Sequence, residues 1–377
     1  MSEIRVIAWG GYDDSKPRVR LLLDALRRRG VLGAEIRIAA WLGVEDKSVA
    51  GPWRLLKAAF KLLFSYPMAL VRLLDQPRRG IVLLPYPGTP DIFLAAPVAK
   101  LRGHRIVLDA FLPIHDTIVR DRAMVGAKSW LGRAIWMIER FGLRLADVIL
   151  VDTEQHGDFF ASEFGIERDR FVTVLVGAEP LFGKAPCDAE LPPFPADRPV
   201  VLFYGQLIPL HGVTTILDAA RLTREEPFHW LLVGKGQQEA LLRAALDEDG
   251  PDNLTWIPWV EYEALPTLIA RSAVCLGVFG ESDKAGRVIP NKVFQALASG
   301  KPVITRSSAA MDPLAARYPD SLMTVPAGDS VALANAACEA LSGSKRLRPL
   351  SAKAREELSP DEGVDELLRR LASDQRP

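Results

Sequence analysis

The chain has 377 residues, of which 49% are apolar and 25% are charged, and its 47 lysines and arginines balance its 47 aspartates and glutamates. This length exceeds one typical core and predicts two domains, while the balanced charge argues against a general nucleic-acid-binding protein. Three widely spaced cysteines indicate a reduced, cytoplasmic protein without a zinc site. Neither a signal peptide nor an apolar run of about 20 residues is visible, so we expect no membrane span.

The N-terminal half alternates apolar, β-branched runs with helical patterns, the clearest of which cover Pro17–Arg29 and Pro90–Leu101. Continuous apolar strands separated by helices are typical of a parallel sheet with both faces covered. The predicted strands are IRVIAWG, EIRIAAWL, GIVLLPYP, HRIVLDAF and DVILVDT.

Gly10 and Gly11 follow the first predicted strand. Because glycine lets a backbone approach another group closely, this pair predicts contact with a ligand. A tight strand-to-helix turn explains the same pair equally well.

A basic, aromatic and strongly apolar stretch covers residues 53–74. Arg54, Lys57 and Lys61 are spaced to share one face of a helix, and no acid occurs before Asp75. This pattern predicts peripheral contact with the inner face of the cytoplasmic membrane, and with it a lipid-borne acceptor. The alternative is a helix packed on the sheet with its lysine stems reaching outward.

A proline-rich segment, Pro186–Pro199, predicts a linker, after which the alternation of strands and helices restarts. We therefore predict two doubly wound α/β domains facing one another across a cleft, one over 1–185 and one over 200–345. A final helix over 349–371 is expected to pack back on the first domain. Ligands of such sheets bind at the carboxyl ends of the strands. The second-half strands are VVLFYG, HWLLVGKG, LTWIPWV, AVCLGVFG, PVITRSS and LMTVPAG.

The stretch from Phe279 to Ser308 places a polar loop before a short amphipathic helix. Asn291 is the predicted N-cap of this helix and Gly300 the left-handed residue that ends it. Free amides at the helix start, with Lys292 in the first turn, predict an anion site. Gln295 lies one turn further along the same edge, where an amide can hydrogen-bond a hydroxyl.

These motifs together resemble the retaining glycosyltransferases of the fourth sequence family, the glycosyl transferases group 1. The end of the helix, QALASGKPVI, is similar to the family's pattern, although Gln295 and Arg287 stand where two glutamates are usual. The turn in LFYGQLIPLHGVTTILDAARL also resembles the family, with Gln206 and His211 at the positions of a phosphate-binding arginine and lysine. The resemblance extends over most of Val200–Leu341.

The resemblance implies the GT-B fold of two Rossmann-like domains and transfer of a sugar from a nucleotide diphosphate donor, with retention and without a metal or cofactor. The second domain would bind the donor, with the diphosphate charge neutralised from the loop of Arg287 and Lys292 instead of from Gln206 and His211. The implied donor-binding residues are Gly205, Gln206, His211, Lys235, Arg287, Asn291, Lys292 and Gln295.

On the acceptor side, the family commonly carries an acid or histidine in the loop after the fourth strand. Asp109 is the first choice for this role and His115 the second, although an aspartate at a strand end is often only a cap. The acceptor would be a lipid-linked sugar or another glycan. Two alternatives stay open: another GT-B enzyme, such as an inverting transferase or an epimerase, and a non-catalytic scaffold or activator subunit.

Overall fold

The computed structural model describes residues 4–14, 16–38, 64–121, 124–126, 128–184, 191–195, 197–342 and 347–373. The chain divides into two compact units, one formed by Met1–Val176 with Pro360–Pro377 and the other by Gly177–Ser359. The boundary between the two units lies after Val176, whereas the sequence predicts that the first domain ends at residue 185. Residues 53–63 of the predicted membrane segment lie outside the described part of the chain.

The first unit contains a parallel six-stranded sheet in the order β2-β1-β3-β4-β5-β6. The strands are β1 (Val6–Gly10), β2 (Leu32–Arg37), β3 (Ile81–Leu84), β4 (Arg105–Phe111), β5 (Val148–Val151) and β6 (Phe171–Thr173). The helices are α1 (Pro17–Arg28), α2 (residues 64–74), α3 (Ile92–Leu101), α4 (Trp130–Leu145) and α5 (Glu154–Phe164).

Residues at the helix ends determine where several of these helices begin and end. Pro17 opens α1, where its fixed φ and missing N–H cost nothing. The Thr153 hydroxyl caps α5 by accepting from the N–H of His156 at 3.1 Å, and Gly165 ends that helix at φ +62°. Each element then buries its apolar side against the sheet, and full burial of one Leu, Ile or Val side chain contributes about 1.5–3 kcal/mol.

The second unit contains another parallel six-stranded sheet, in the order β12-β11-β10-β7-β8-β9. The strands are β7 (Val200–Tyr204), β8 (His229–Val233), β9 (Leu254–Ile257), β10 (Val274–Leu276), β11 (Val303–Arg306) and β12 (Leu322–Val325). The helices are α6 (Val213–Leu222), α7 (Glu239–Asp249), α8 (Leu265–Arg271), α9 (Asp283–Arg287), α10 (Asn291–Ala298), α11 (Asp312–Arg317), α12 (Ser330–Ser342) and α13 (Ala352–Glu357). Two doubly wound parallel sheets confirm the predicted fold class.

The single helix predicted over 349–371 is wrong in its continuity, because the structure divides it into α13 and α14 (Asp361–Ser373). Glu357 of α13 accepts hydrogen bonds from Arg317 and Tyr318, so α13 belongs to the second unit. Only α14 packs on the first unit, where Asp361 accepts from the guanidinium groups of Arg28 and Arg29.

Among the described residues, no helix has both the length and the apolar character needed to cross a bilayer.

Candidate functional site

Two glycine turns meet at the carboxyl ends of β7 and β8. Gly205 and Gly234 both have φ +143°, and a Cβ at position 234 would lie 1.8 Å from the carbonyl oxygen of Gly205. A Cβ on Gly236 would lie 2.8 Å from the amide nitrogen of Leu207. Only glycine lets these two backbones touch, so the turns form one surface at the ligand-binding edge of the sheet.

Lys292 lies directly over the Gly205 turn. A Cβ at Gly205 would be 3.0 Å from Lys292 Nζ, and this ammonium lies 3.9 Å from the centroid of the Phe203 ring. Lys292 is 7% exposed, and Nζ has no hydrogen-bond partner within the described residues. Burial therefore lowers the pKa of Lys292 well below its usual value of 10.5.

His211 also lies against this turn, with its Cε1 atom 3.4 Å from a Cβ placed on Gly205. Its Nδ1 is hydrogen-bonded to the carbonyl oxygen of Gln206, which can only accept, so Nδ1 carries the hydrogen. Burial, and secondarily the Lys292 charge, lowers the pKa of His211 to about 2. The imidazole is therefore neutral, with an Nε2 lone pair left to accept a hydrogen bond.

Backbone hydrogen bonds join the loop after β10 to the His211 turn. The amide of Phe279 donates to the His211 carbonyl at 3.1 Å, and that of Gly280 donates to the Leu210 carbonyl at 3.1 Å. Arg306, which the sequence did not single out, donates to the Gly280 carbonyl and so holds this loop to β11. The loops after β7 and β10 therefore form one connected wall.

Helix α10 begins at Asn291, with Pro290 as its N-cap and no side chain capping the first turn. The prediction that Asn291 is the N-cap is therefore wrong, because the fixed φ of Pro290 already suits the extended residue before a helix. The hydroxyl of Tyr204 donates to the Lys292 carbonyl at 3.0 Å, which ties α10 to β7. The predicted left-handed end at Gly300 is confirmed, with φ +71°.

Gln295 belongs to a chain of polar groups that the sequence did not reveal. Its Nε2 donates to the hydroxyl of Tyr262 at 3.1 Å, and that hydroxyl donates to Oε2 of Glu179 at 2.7 Å. Gln295 and Glu179 are both buried. One of the two amide hydrogens is thus engaged, and the carbonyl oxygen of Gln295 can accept from a ligand hydroxyl.

The remaining predicted donor residues lie in the turns after β7 and β8 and in the helix before α10. The Lys235 carbonyl accepts from the amide of Leu207, but the Lys235 ammonium lies over the ring of Trp259, 4.8 Å from its centroid. Gln206 contributes its carbonyl to His211, and its side chain is exposed. Arg287 is half-buried at the end of α9, just before α10.

Asp109 cannot contact an acceptor as predicted. β4 continues to Phe111, which places Asp109 inside the strand, facing α1, and the carboxylate is fully buried. The Arg18 guanidinium donates to both carboxylate oxygens, with an Nη2–Oδ1 distance of 2.8 Å. Arg18 also bonds the Val174 carbonyl. This pair links α1 to the sheet, so its role is structural.

His115 lies after β4 and is 7% exposed. Its amide and that of Ile114 donate to the carboxylate of Glu139 at 2.8 and 2.7 Å, while the His115 Nδ1 has no hydrogen-bond partner among the described residues. Burial, then the charge of Arg120, lowers the pKa of His115. Burial raises the pKa of Glu139 to about 7 against the lowering effect of the two amides.

Gly10 and Gly11 approach a carboxylate of the chain itself. A Cβ on Gly10, at φ +123°, would lie 2.2 Å from Asp91 Oδ2, and the Gly11 amide donates to that oxygen at 2.6 Å. The Tyr66 hydroxyl donates to the other oxygen at 2.5 Å. The close approach is real, but Asp91 explains it, so the predicted ligand contact loses its support.

In the described part of the chain, no group of three or more His, Cys, Asp or Glu side chains could hold a metal ion.

Two family models match successive parts of the chain. The one described as "Glycosyl transferase 4-like domain" matches residues 3–177, and the one described as "Glycosyl transferases group 1" matches residues 198–343. A stretch of 112 residues is 30% identical to WcaI of Escherichia coli strain K12, a protein assigned to colanic acid biosynthesis as a glycosyl transferase. This stretch is 29% of the chain and spans only 27% of WcaI.

Solved structures match over almost the whole chain. The sucrose-phosphate synthase of Thermosynechococcus elongatus superposes with a TM-score of 0.69 at 16% identity, covering 99% of this chain and 100% of that one. HepE of Anabaena, solved in complex with UDP, gives 0.66 at 12% identity, covering 98% and 100%. At these identities the likeness establishes the fold. With two glycosyltransferase models matching successive units and this architecture throughout, the chain belongs to the glycosyltransferases of GT-B fold.

Proposed function

We propose that the protein transfers a sugar from a nucleotide diphosphate donor to an acceptor hydroxyl, with retention and without a metal or cofactor. The observation that carries this proposal is the Lys292 ammonium, buried over the Gly205 turn without a hydrogen-bond partner among the described residues. A desolvated cation in this position is costly unless an anion neutralises it. A diphosphate supplies that charge, and the uncapped first turn of α10 supplies amide donors beside it.

Each nearby group has a distinct task in this proposal. Lys292 and the amides around Asn291 bind the diphosphate, and Gly205 permits its close approach. Gln295 accepts from a hydroxyl of the donor through its carbonyl oxygen, while its amide nitrogen donates one hydrogen bond to Tyr262. His211 accepts from a hydroxyl through Nε2, since a neutral imidazole without a hydrogen on that nitrogen cannot bind a phosphate oxygen.

WcaI and HepE support the proposal without extending to its details. The name of WcaI describes a glycosyl transferase, and HepE was crystallised with UDP. For this chain, the nucleotide diphosphate donor and the retention of configuration are proposals. In a retaining front-face reaction the leaving phosphate accepts the acceptor proton, so no protein nucleophile is required. His115 is the proposed acceptor-side residue, and a lipid-linked sugar or another glycan is the proposed acceptor.

A binding panel tests this function before the acceptor is known. The purified chain is heated with uridine, guanosine and adenosine diphosphates and with their glucose conjugates, and unfolding is monitored. At a hundredfold excess over Kd, a ligand stabilises the folded state by about 2.7 kcal/mol. We expect one nucleotide family to stabilise the chain. If none does, the sugar-transfer proposal fails and the scaffold alternative replaces it.

A further inference from the structure

One surface of the first unit combines exposed apolar side chains with cations. We define the α2–α4 face as the solvent-facing sides of helices α2, α3 and α4. The opposite sides of these helices share one core against the sheet, through Leu73, Ala95 and Leu143 respectively. The helices are also joined directly: Arg102 after α3 donates to the carbonyl of Gln76 after α2 at 2.6 Å. The three helices thus lie on the same face of the sheet.

The apolar side chains of this face are large and well exposed. Leu101 of α3 is 78% exposed and Trp130 of α4 is 79% exposed. Other exposed apolar residues of the face are Met68, Val71, Leu74, Phe93, Leu94, Leu131, Met137, Ile138 and Phe141. The five exposed apolar residues of α4 follow helical spacing, and its buried residues lie on the opposite side. Exposed apolar side chains in this number on adjoining helices mark an interaction surface.

The charges of the same three helices are almost all positive. The only acid within them is Glu139, which is 2% exposed and turned inward to the amides of Ile114 and His115. Asp75, directly after α2, is exposed. The cations of the face are Arg72, Lys100, Arg133, Arg140 and Arg144.

Four of these cations, Arg72, Lys100, Arg133 and Arg144, form no ion pair with any residue that the structure describes. On the other side of the same unit several arginines are neutralised: Arg27 pairs with Glu35 and Arg29 with Asp361. The chain as a whole is electrically balanced, so this local excess of positive charge needs a partner of its own.

We propose that the α2–α4 face docks the first unit onto an anionic lipid bilayer. Apolar side chains enter the interface while arginines and lysines reach the phosphate headgroups, the pattern that such a surface favours. A second copy of the chain fits less well, because a twofold interface would set the same cations against one another. The surface extends well beyond residues 53–74, and docking through it does not depend on the sugar-transfer reaction.

The test is flotation of the full chain with vesicles of phosphatidylcholine alone or mixed with phosphatidylglycerol, at low and high salt. We expect binding to the anionic vesicles only, weakened by salt. The double variant Arg133→Gln/Arg144→Gln should lower the partition coefficient about 30-fold. Leu101→Ser should lower it about tenfold or more.

Matched controls come from the second unit. Arg348 is exposed and Leu222 is 58% exposed. Arg348→Gln removes one guanidinium group and Leu222→Ser one leucine away from the face, and both should leave binding unchanged. Thermal melts check that every variant is folded. If Leu101→Ser does not fold, the arginine variant alone tests the proposal. Absence of binding to anionic vesicles overturns the proposal, as do equal losses in the controls. A lipid-free dimer that the face variants dissociate, measured by sedimentation, also overturns it and assigns the face to self-association.

Discussion

Replacing Lys292 by methionine tests the anion site most directly, because methionine keeps the stem and removes only the charge. In the free protein the buried ammonium is a cost, since burial lowers its pKa below 10.5. The unfolded chain then binds more protons between the folded pKa and 10.5, so wild-type stability rises with pH in that window. We expect Lys292→Met to unfold at an equal or higher temperature than the wild type and to lack that rise.

Nucleotide binding should respond in the opposite direction. A hydrogen bond to a charged group contributes about 1.5–3 kcal/mol, which corresponds to a loss of about 10- to 150-fold in affinity for a nucleoside diphosphate. At a ligand concentration of 100 Kd, a hundredfold loss cuts the stabilisation from about 2.7 to about 0.4 kcal/mol. His211→Ala should lose less than about fivefold, because its imidazole is neutral and its Nδ1 is held by Gln206.

The assay is calorimetric titration of both variants with the nucleotide that stabilises the wild type, alongside melts without ligand. Unchanged affinity in Lys292→Met would refute the anion site. Equal losses of nucleotide affinity in Lys292→Met and His211→Ala would refute the proposal that Lys292 alone supplies the positive charge for the diphosphate. A variant that melts far below the wild type without ligand would show that Lys292 is a structural residue.

Three further predictions concern the geometry of the two sheets. Gly234→Ala should abolish nucleotide binding and destabilise the chain, measured by titration and urea unfolding, because its Cβ would lie 1.8 Å from the Gly205 carbonyl oxygen. Asp109→Asn should lower the free energy of unfolding by about 3–5 kcal/mol, since it leaves the Arg18 charge buried without its carboxylate. A loss under about 1 kcal/mol would contradict the structural role of Asp109. Burial raises the pKa of Glu139 to about 7, so above pH 4.5 the folded state binds more protons than the unfolded chain. The free energy of unfolding should therefore fall as pH rises from 5 to 8. Glu139→Gln should flatten that slope in urea titrations, and an unchanged slope would refute the assignment of the slope to Glu139.

The fold was largely predictable because its signals are local. Pro17 and Leu101 mark helix limits that the apolar periodicity and proline rules also give. β6, Phe171–Thr173, was missed because three residues at a sheet edge carry too little periodicity. The division between α13 and α14 was missed although Pro360 marks it, since a proline inside a helical pattern ends the helix; the two helices then pack on different units.

Only those residues of the candidate site that lie together in one stretch of sequence were predictable. Lys292 and Gln295 follow a motif in sequence, but the groups that define their states come from elsewhere in the chain. Tyr262 contacts Gln295 from 33 residues away, and Glu179 contacts Tyr262 from 83 residues away. No sequence spacing predicts either contact. Asp109 failed as a prediction for the same reason: its partner, Arg18, is 91 residues away.

The absence of positive charge at two of the altered positions, Gln206 and His211, is consistent with the charge of Lys292 beside them. Lys292 and His211 both lie against the Gly205 turn, and the Lys292 charge is one of the causes that keep the His211 pKa low. A second fixed cation there would repel the first in a site where water screens little. A buried ammonium on α10 therefore favours uncharged partners on the β7 loop, which Gln206 and His211 are. Under the proposed function, the single desolvated Lys292 would bind the anion that an arginine and a lysine at the Gln206 and His211 positions usually bind in the family.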